Sequence, residues 1–190
     1  MSTHLPEPVA RATAVARQAG FTMSCEPEVG VLLAVLAAAV PAAGRILELG
    51  TGAGVGTAWI TQGLATRTDV EVVTIDNNQA TAELAAQTPW PPNVRLVVGD
   101  AVQVTAREGV FDLVFADAQG GKWDGLETTI AALRPGGHLL VDDMTPPRFA
   151  DAHHEHKTSE VRARLLSHPD LVSVSIAWSS GLILSTRRRA

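Results

Sequence analysis

The 190-residue sequence contains a single cysteine, Cys25, so an internal disulfide cannot form. Its opening residues, Met-Ser-Thr-His-Leu-Pro-Glu, lack the basic and apolar regions of a secretory signal. Both absences point to a reducing cytoplasm. Long apolar runs are missing too: the longest, 31–40, falls well short of the ~18 residues that suggest a membrane span and reads as a buried helix. An excess of positive charge is also absent. Fifteen Lys and Arg against 20 Asp and Glu leave a net charge of −5, which provides no basic field for nucleic acid. What remains, 46% apolar and 18% charged, is the composition of a soluble globular chain, and the length suits one folding unit. The expected organisation is a single domain over 1–190, with N-terminal helices in 1–43 and an α/β core in 44–190.

Residues 6–19 are alanine-rich, with Arg11 and Arg17 on a polar side, and predict a helix ending at Gly20. A second helix opens at Ser24 or Glu26, carries Val29, Leu32, Leu33, Leu36 and Val40 at three- and four-residue intervals, and stops at Pro41. From Arg45 onward short apolar runs alternate with helical stretches, the pattern of a parallel sheet with crossover helices. Strands are predicted at 45–49, 70–75, 94–98, 111–116, 137–141, 171–177 and 181–185, with helices starting near Gly54, Asn78, Ala101, Trp123 and Ala150. Only Trp178-Ser179-Ser180 separates the last two strands, so they must be antiparallel. The fold class expected is therefore α/β: a Rossmann-like, doubly wound, mostly parallel seven-stranded sheet with a C-terminal antiparallel hairpin. Pro89-Trp90-Pro91-Pro92 reads as a stiff loop and 187–189 as a solvated tail.

The segment Arg45-Ile-Leu-Glu-Leu-Gly-Thr-Gly-Ala-Gly-Val-Gly56 carries the most information. An apolar strand with Glu48 near its end runs into Gly50, Thr51, Gly52 and Gly54 and then a helix. Glycines here permit positive φ and close approach of a ligand at the carboxyl edge of a parallel strand. No Gly-x-x-x-x-Gly-Lys-Ser/Thr is present, which excludes a nucleoside-triphosphate loop. The register is Gly-x-Gly-x-Gly, whereas a dinucleotide fingerprint needs Gly-x-Gly-x-x-Gly. Glu48 would repel a pyrophosphate but can pair with the cationic amino group of a methionine moiety.

The second strand ends at Asp76, where a carboxylate can accept both ribose hydroxyls, with Asn77 beside it; capping of the following helix is the alternative. Asp100 closes the third strand. It could accept from an adenine amino group, with Ala101 lining the ring, or could serve only as a helix cap.

Taken together, Glu48-Leu-Gly-Thr-Gly-Ala-Gly54, Asp76, Gly99-Asp100, Phe111-Asp-Leu-Val-Phe-Ala-Asp117 and Leu133-Arg-Pro-Gly-Gly-His-Leu-Leu-Val-Asp-Asp143 resemble the successive motifs of class I S-adenosylmethionine-dependent methyltransferases. The later motifs are similar to those of the catechol and caffeoyl-CoA O-methyltransferase group. The resemblance implies S-adenosyl-L-methionine as cofactor, held by Glu48, Gly50, Thr51, Gly52, Gly54, Asp76, Asn77, Asp100, Ala101 and Asp117. In that group the fourth-strand aspartate and an Asp-Asn pair after the fifth strand hold a divalent metal. The matching positions here are Asp117, Asp142 and Asp143, an aspartate standing where asparagine is expected, and Mg²⁺ is the ion these oxygens suit.

Asp117, Lys122 and Asp142 are the candidate catalytic residues. Relatives place a lysine three residues after the fourth-strand aspartate; here the spacing is five. A lysine ordinarily sits in solvent, yet Gly120 and Gly121 could fold the loop so that the amine reaches the site. The run His153-His-Glu-His156 could offer metal nitrogens but reads better as a polar entrance or solvated helix start. Trp123 and Trp178 could wall an acceptor pocket or pack in the core.

The implied reaction is in-line methyl transfer to a small hydroxylated acceptor, in which the protein supplies alignment and a deprotonated oxygen. An NAD-dependent oxidoreductase and a non-catalytic nucleotide-sensing domain are the competing readings. Apolar N-terminal helices make a homodimer plausible.

Overall fold

The structure is a computed structural model, and it describes residues 5–145 and 152–189. Two helices precede the sheet, α1 (Glu7–Gln18) and α2 (Pro27–Ala38). Proline in the first turn of each costs no hydrogen bond, because the first amides of a helix have no internal acceptor. α1 buries Val9, Ala12 and Ala16, and α2 buries Val29, Leu33 and Ala37, each set spaced along one helical face.

The sheet then begins with β1 (Arg45–Leu49), followed by α3 (Val55–Leu64), β2 (Glu71–Asp76), α4 (Gln79–Ala85), β3 (Val94–Val98), α5 (Ala101–Glu108) and β4 (Phe111–Ala116). After β4 come an irregular turn, α6 (Gln119–Lys122), and α7 (Leu126–Ala131), then β5 (Leu133–Val141), α8 (Ala152–Ser167), β6 (Leu171–Ile176) and β7 (Leu182–Arg187). The strand order is β3-β2-β1-β4-β5-β7-β6. Strands β1 to β5 pair in parallel, and β7 is antiparallel to both β5 and β6. The mixed seven-stranded sheet with its terminal hairpin is as the sequence led us to expect.

Two apolar layers hold the sheet between helices. One packs Ile46, Val72, Leu113 and Leu140 against α1, α2 and α3; the other packs Leu47, Val73, Val114 and Leu139 against Leu126, Ile130, Val161 and Leu165 of α7 and α8. The chain reverses its direction of winding between β1 and β4, and at such a point the helices diverge and leave a crevice beyond the strand ends.

Three local expectations are corrected. The predicted strand at 137–141 starts earlier, at Leu133, because Pro135-Gly136-Gly137 forms an irregularity inside the strand: Phe111 pairs with Leu133, but Leu113 pairs with His138. The helix expected from Trp123 is instead the kinked α6 followed by α7. Of the predicted solvated tail at 187–189, Arg188 and Arg189 are exposed as expected, whereas Arg187 ends β7 and is half-buried. Arg187 donates to the carbonyl oxygen of Leu133 at 2.6 Å, and Arg188 to that of Pro169 in the turn before β6 at 3.1 Å. Among the described residues no helix is long and apolar enough to cross a membrane.

Candidate active site

A cleft of about 660 Å³ lies at the carboxyl edge of the parallel strands, across the β1/β4 switch point. Its floor is the turn after β1. Gly50, Gly52 and Gly54 have φ of 104°, 53° and 88°, values that side-chain-bearing residues rarely adopt. A Cβ on Gly50 would lie 2.7 Å from the backbone oxygen of Asp117, so the turn after β1 and the end of β4 can approach only because that position is glycine.

Glu48 is fully buried below this turn. Its Oε2 accepts from the Thr74 hydroxyl at 2.6 Å and from the Thr57 hydroxyl, while Oε1 is buried without a partner. Burial pushes the carboxyl up to about 7 against the pull of those two hydroxyls. A Cβ on Gly56 would meet Oε1 at 2.2 Å, so the helix after the loop must be bare there for the carboxylate to fit.

Asp76 ties the tip of β2 to the same turn. Its Oδ2 accepts from the Gly52 amide and its Oδ1 from the Asn78 amide, both at 2.9 Å. The capping role considered for Asp76 falls to Asn78, whose side chain accepts from Ala80 and Thr81. Asp100 does cap α5, accepting from the Gln103 amide at 2.8 Å, and it also lines the cleft beside Ala101. Thr51 and Asn77 lie on the cleft wall with them. Gly54 is the exception among the loop residues: it turns away, and a Cβ there would lie 2.7 Å from the Trp90 ring.

The other end of the cleft gathers Asp117, Lys122, Asp142 and Asp143. The turn carrying Lys122 is not a regular helix. Gly120 has extended ψ and Gly121 has φ of 86°, with the Gly121 amide donating to the Asp124 carbonyl oxygen at 2.7 Å and the Thr129 hydroxyl donating to the Gly121 oxygen at 2.8 Å. This kink turns Lys122 inward to 4% exposure, where its Nζ donates to the backbone oxygen of Asp142 at 3.2 Å and lies 3.8 Å from the Asp143 carboxylate. The solvent position usual for lysine is not taken.

Burial, followed by the charge of Asp142, holds the Asp117 carboxyl well above the usual carboxylate range, and Lys122 opposes that shift. Asp142 is also raised by burial, with the Ser180 hydroxyl and the Asp143 amide hydrogen-bonded to its Oδ1 and acting in the opposite direction.

These donors do not fit a Mg²⁺ cage as arranged. Mg²⁺ demands near-octahedral oxygens at ~2.0–2.1 Å, whereas Asp142 Oδ1 is engaged by Ser180 and its neighbour's amide, and the Lys122 ammonium already stands beside Asp143. Among the described residues no three His, Cys, Asp or Glu side chains gather as an ion would require. The histidine run lies at the start of α8. His153 and His154 set their rings edge-on to Trp123, at 6.2 and 4.9 Å between centroids, and His154 faces the cleft with Trp123. Trp178 is 44% exposed and lies off the cleft.

Two further segments contribute to the cleft. The link between α1 and α2 supplies Phe21, Ser24, Cys25 and Glu26 as a wall. Burial and the surrounding carboxylates push the Cys25 thiol up, which makes it inert. Ser180, from the β6–β7 turn, reaches Asp142 across 38 residues of sequence, and no local pattern announces such a contact.

A family model described as a methyltransferase domain matches residues 47–144. A proposed O-methyltransferase of Mycolicibacterium vanbaalenii is 35% identical over 176 residues, covering 85% of this chain and 76% of the relative. Among solved structures, the O-methyltransferase TomG from Streptomyces achromogenes, involved in tomaymycin synthesis and crystallised with S-adenosylmethionine, superposes with a TM-score of 0.80 at 25% identity, covering 100% of this chain and 93% of that one. A cofactor-bound protein from MTB superposes with a TM-score of 0.86, also at 25% identity, covering 100% of this chain and 94% of the other.

Proposed function

This chain belongs to the class I S-adenosylmethionine-dependent O-methyltransferases, and we propose that it moves the methyl group of that cofactor to a hydroxyl of a small molecule. The observation that carries the reading is the buried Glu48, which lines the cleft and whose Oε1 lies against Gly56, just beyond the glycine turn, without a hydrogen-bond partner among the described residues. A buried carboxylate oxygen without a donor is costly unless a ligand completes it, and the α-ammonium of a methionine moiety is such a ligand.

In the proposed binding mode Asp76 receives the ribose hydroxyls, with Asn77 alongside. Asp100 and Ala101 border the adenine, Gly50, Thr51 and Gly52 carry the methionine portion on their backbone, and Asp117 stands between cofactor and acceptor. Gly54 shapes the turn rather than touching the ligand. When bound, the cofactor supplies an electrophilic methyl, whose bond to sulfur breaks with its electron pair returning to sulfur as the acceptor C–O bond forms. The chain's part is to align the acceptor oxygen and receive its proton. Asp117 is the proton acceptor, since burial beside Asp142 makes its carboxylate more basic than usual, and Asp142 fixes the surrounding charge. Trp123 and His154 border the acceptor end.

A Mg²⁺ ion at Asp117, Asp142 and Asp143 is the competing arrangement. It draws on the surplus of three carboxylates over one ammonium and requires Lys122 to withdraw. We place the protein in the cytoplasm on its single buried thiol. We also propose a homodimer through α2, whose Val31 and Val35 remain 51% and 61% exposed on a helix that is apolar on all sides. Calorimetric titration with S-adenosylhomocysteine and with NAD, followed by assays on hydroxylated acceptors, tests the reading. Binding of the first ligand and not the second, with methyl transfer to oxygen, is the expected outcome.

A further inference from the structure

Among the described residues, the acceptor end of the cleft carries the carboxyl groups of Asp117, Asp142 and Asp143 and a single lysine or arginine, which is buried. Lys122 is 4% exposed. An ammonium has three donors to place, and among the described residues Lys122 makes one hydrogen bond, to the Asp142 backbone oxygen at 3.2 Å. Its nearest carboxylate, on Asp143, is 3.8 Å away, an ion pair without a hydrogen bond. Among the described residues the other two N–H groups have no hydrogen-bond acceptor, and they border the cleft, where a ligand oxygen can meet one of them. The chain reaches this arrangement by a specific device. Gly121 takes positive φ, and its bare Cα fits against Leu49, which a Cβ would meet at 2.4 Å.

On the basis of the O-methyl transfer reading above, we propose that Lys122 is a tethered cation standing in place of a divalent ion, and that the acceptor class is accordingly one with a single acidic hydroxyl, of the phenol type. A metal ion presents several coordination positions and selects a chelating vicinal pair of oxygens. An ammonium is a point charge with no coordination sphere to complete, so stabilising one acceptor oxygen does not require a second oxygen beside it. The acceptor oxygen, as it loses its proton, takes a donor that Lys122 does not give to Asp142. Asp142 and Asp143 hold the ammonium from behind through a backbone oxygen and a carboxylate. A second positive charge among the same three aspartates would have to overcome repulsion by the lysine within a few ångströms.

The test is a calorimetric titration of Mg²⁺ into the protein loaded with S-adenosylhomocysteine, for wild type and Lys122→Gln, run beside kcat/KM for a phenol and its matched catechol with and without chelator. Wild type should show no Mg²⁺ binding into the millimolar range, and Lys122→Gln should acquire it, since three carboxylates are then left without their cation. Wild type should use phenol within roughly tenfold of catechol and ignore the chelator. The variant should lose on the order of 100-fold in kcat/KM while keeping its affinity for S-adenosylhomocysteine. Stoichiometric Mg²⁺ binding by wild type, loss of transfer on chelation, or turnover confined to vicinal diols overturns the proposal. If Lys122→Gln does not fold, the wild-type titration and acceptor pair decide alone. The Mg²⁺ titration needs no turnover, so a failure of O-methyl transfer itself is read separately, as cofactor binding without a methylated oxygen.

Discussion

The carboxylate of Asp76 accepts the backbone amide of Gly52 at 2.9 Å, so the tip of β2 holds the glycine turn of β1 in the shape a ligand would meet. Replacing Asp76 by alanine removes this brace and, in the proposed binding mode, the acceptor for the ribose hydroxyls. Affinity for S-adenosylhomocysteine should fall by about 1.5–3 kcal/mol, since hydrogen bonds to a charged acceptor are at stake. Undiminished calorimetric binding would remove Asp76 from the site.

In the proposed binding mode, Glu48 should make cofactor binding depend on pH. Burial raises its folded-state pKa from 4.5 to about 7. Between those values the folded protein holds a proton that the unfolded chain has lost. The associated stability is complete below pH 4.5 and is lost as pH rises through about 7. The cofactor's ammonium requires the ionised carboxylate, so affinity should climb from about pH 6 to pH 8, by up to roughly tenfold per unit below the pKa. Glu48→Gln should flatten that climb. An equally steep profile in the variant assigns the titration to another group.

Gly121 is the hinge that buries Lys122. Gly121→Ala forces a side chain into positive φ and against Leu49, and should cost about 1–3 kcal/mol in thermal or denaturant unfolding. Methyl transfer should fall far more than affinity for S-adenosylhomocysteine, because the displaced element serves the acceptor end. Parallel losses in both would place the turn in the cofactor half of the cleft.

Ser180 donates to Asp142 from the β6–β7 turn. Ser180→Ala should raise the proton affinity of Asp142 further, cost about 1 kcal/mol of stability and slow transfer with little change in cofactor affinity. Kinetics at saturating cofactor beside a binding titration separate these effects. A drop in affinity matching the drop in rate would contradict the assignment.

Much of the cleft wall built on the glycine turn was legible because it is local. The apolar strand, Glu48, the glycines and Asp76 follow one another within two βα units, and each strand end carries its own residue. That Gly54 lies off the cleft wall was not legible, because a positive-φ glycine that packs on Trp90 has the same sequence signature as one that lines the cleft. The acceptor half depends on distant contacts. Lys122 is buried because of a two-residue kink and the end of β5, and Ser180 meets Asp142 only once β7 has docked antiparallel on β5. The early start of β5 was hidden by Pro135-Gly136-Gly137, which reads as a turn although the chain continues through it as an irregular strand. Arg187 read as part of a solvated end because its acceptor, the Leu133 carbonyl oxygen at the start of β5, comes within reach only in the assembled sheet.

The most direct test of the central claim is mass spectrometry of hydroxylated acceptors incubated with the protein and S-adenosylmethionine carrying a deuterated methyl group. The account predicts one labelled methyl on oxygen for each S-adenosylhomocysteine released, and loss of that product in Asp117→Ala protein that still binds S-adenosylhomocysteine. Label recovered on nitrogen or carbon, or a protein that neither binds S-adenosylhomocysteine nor releases it, would contradict the account.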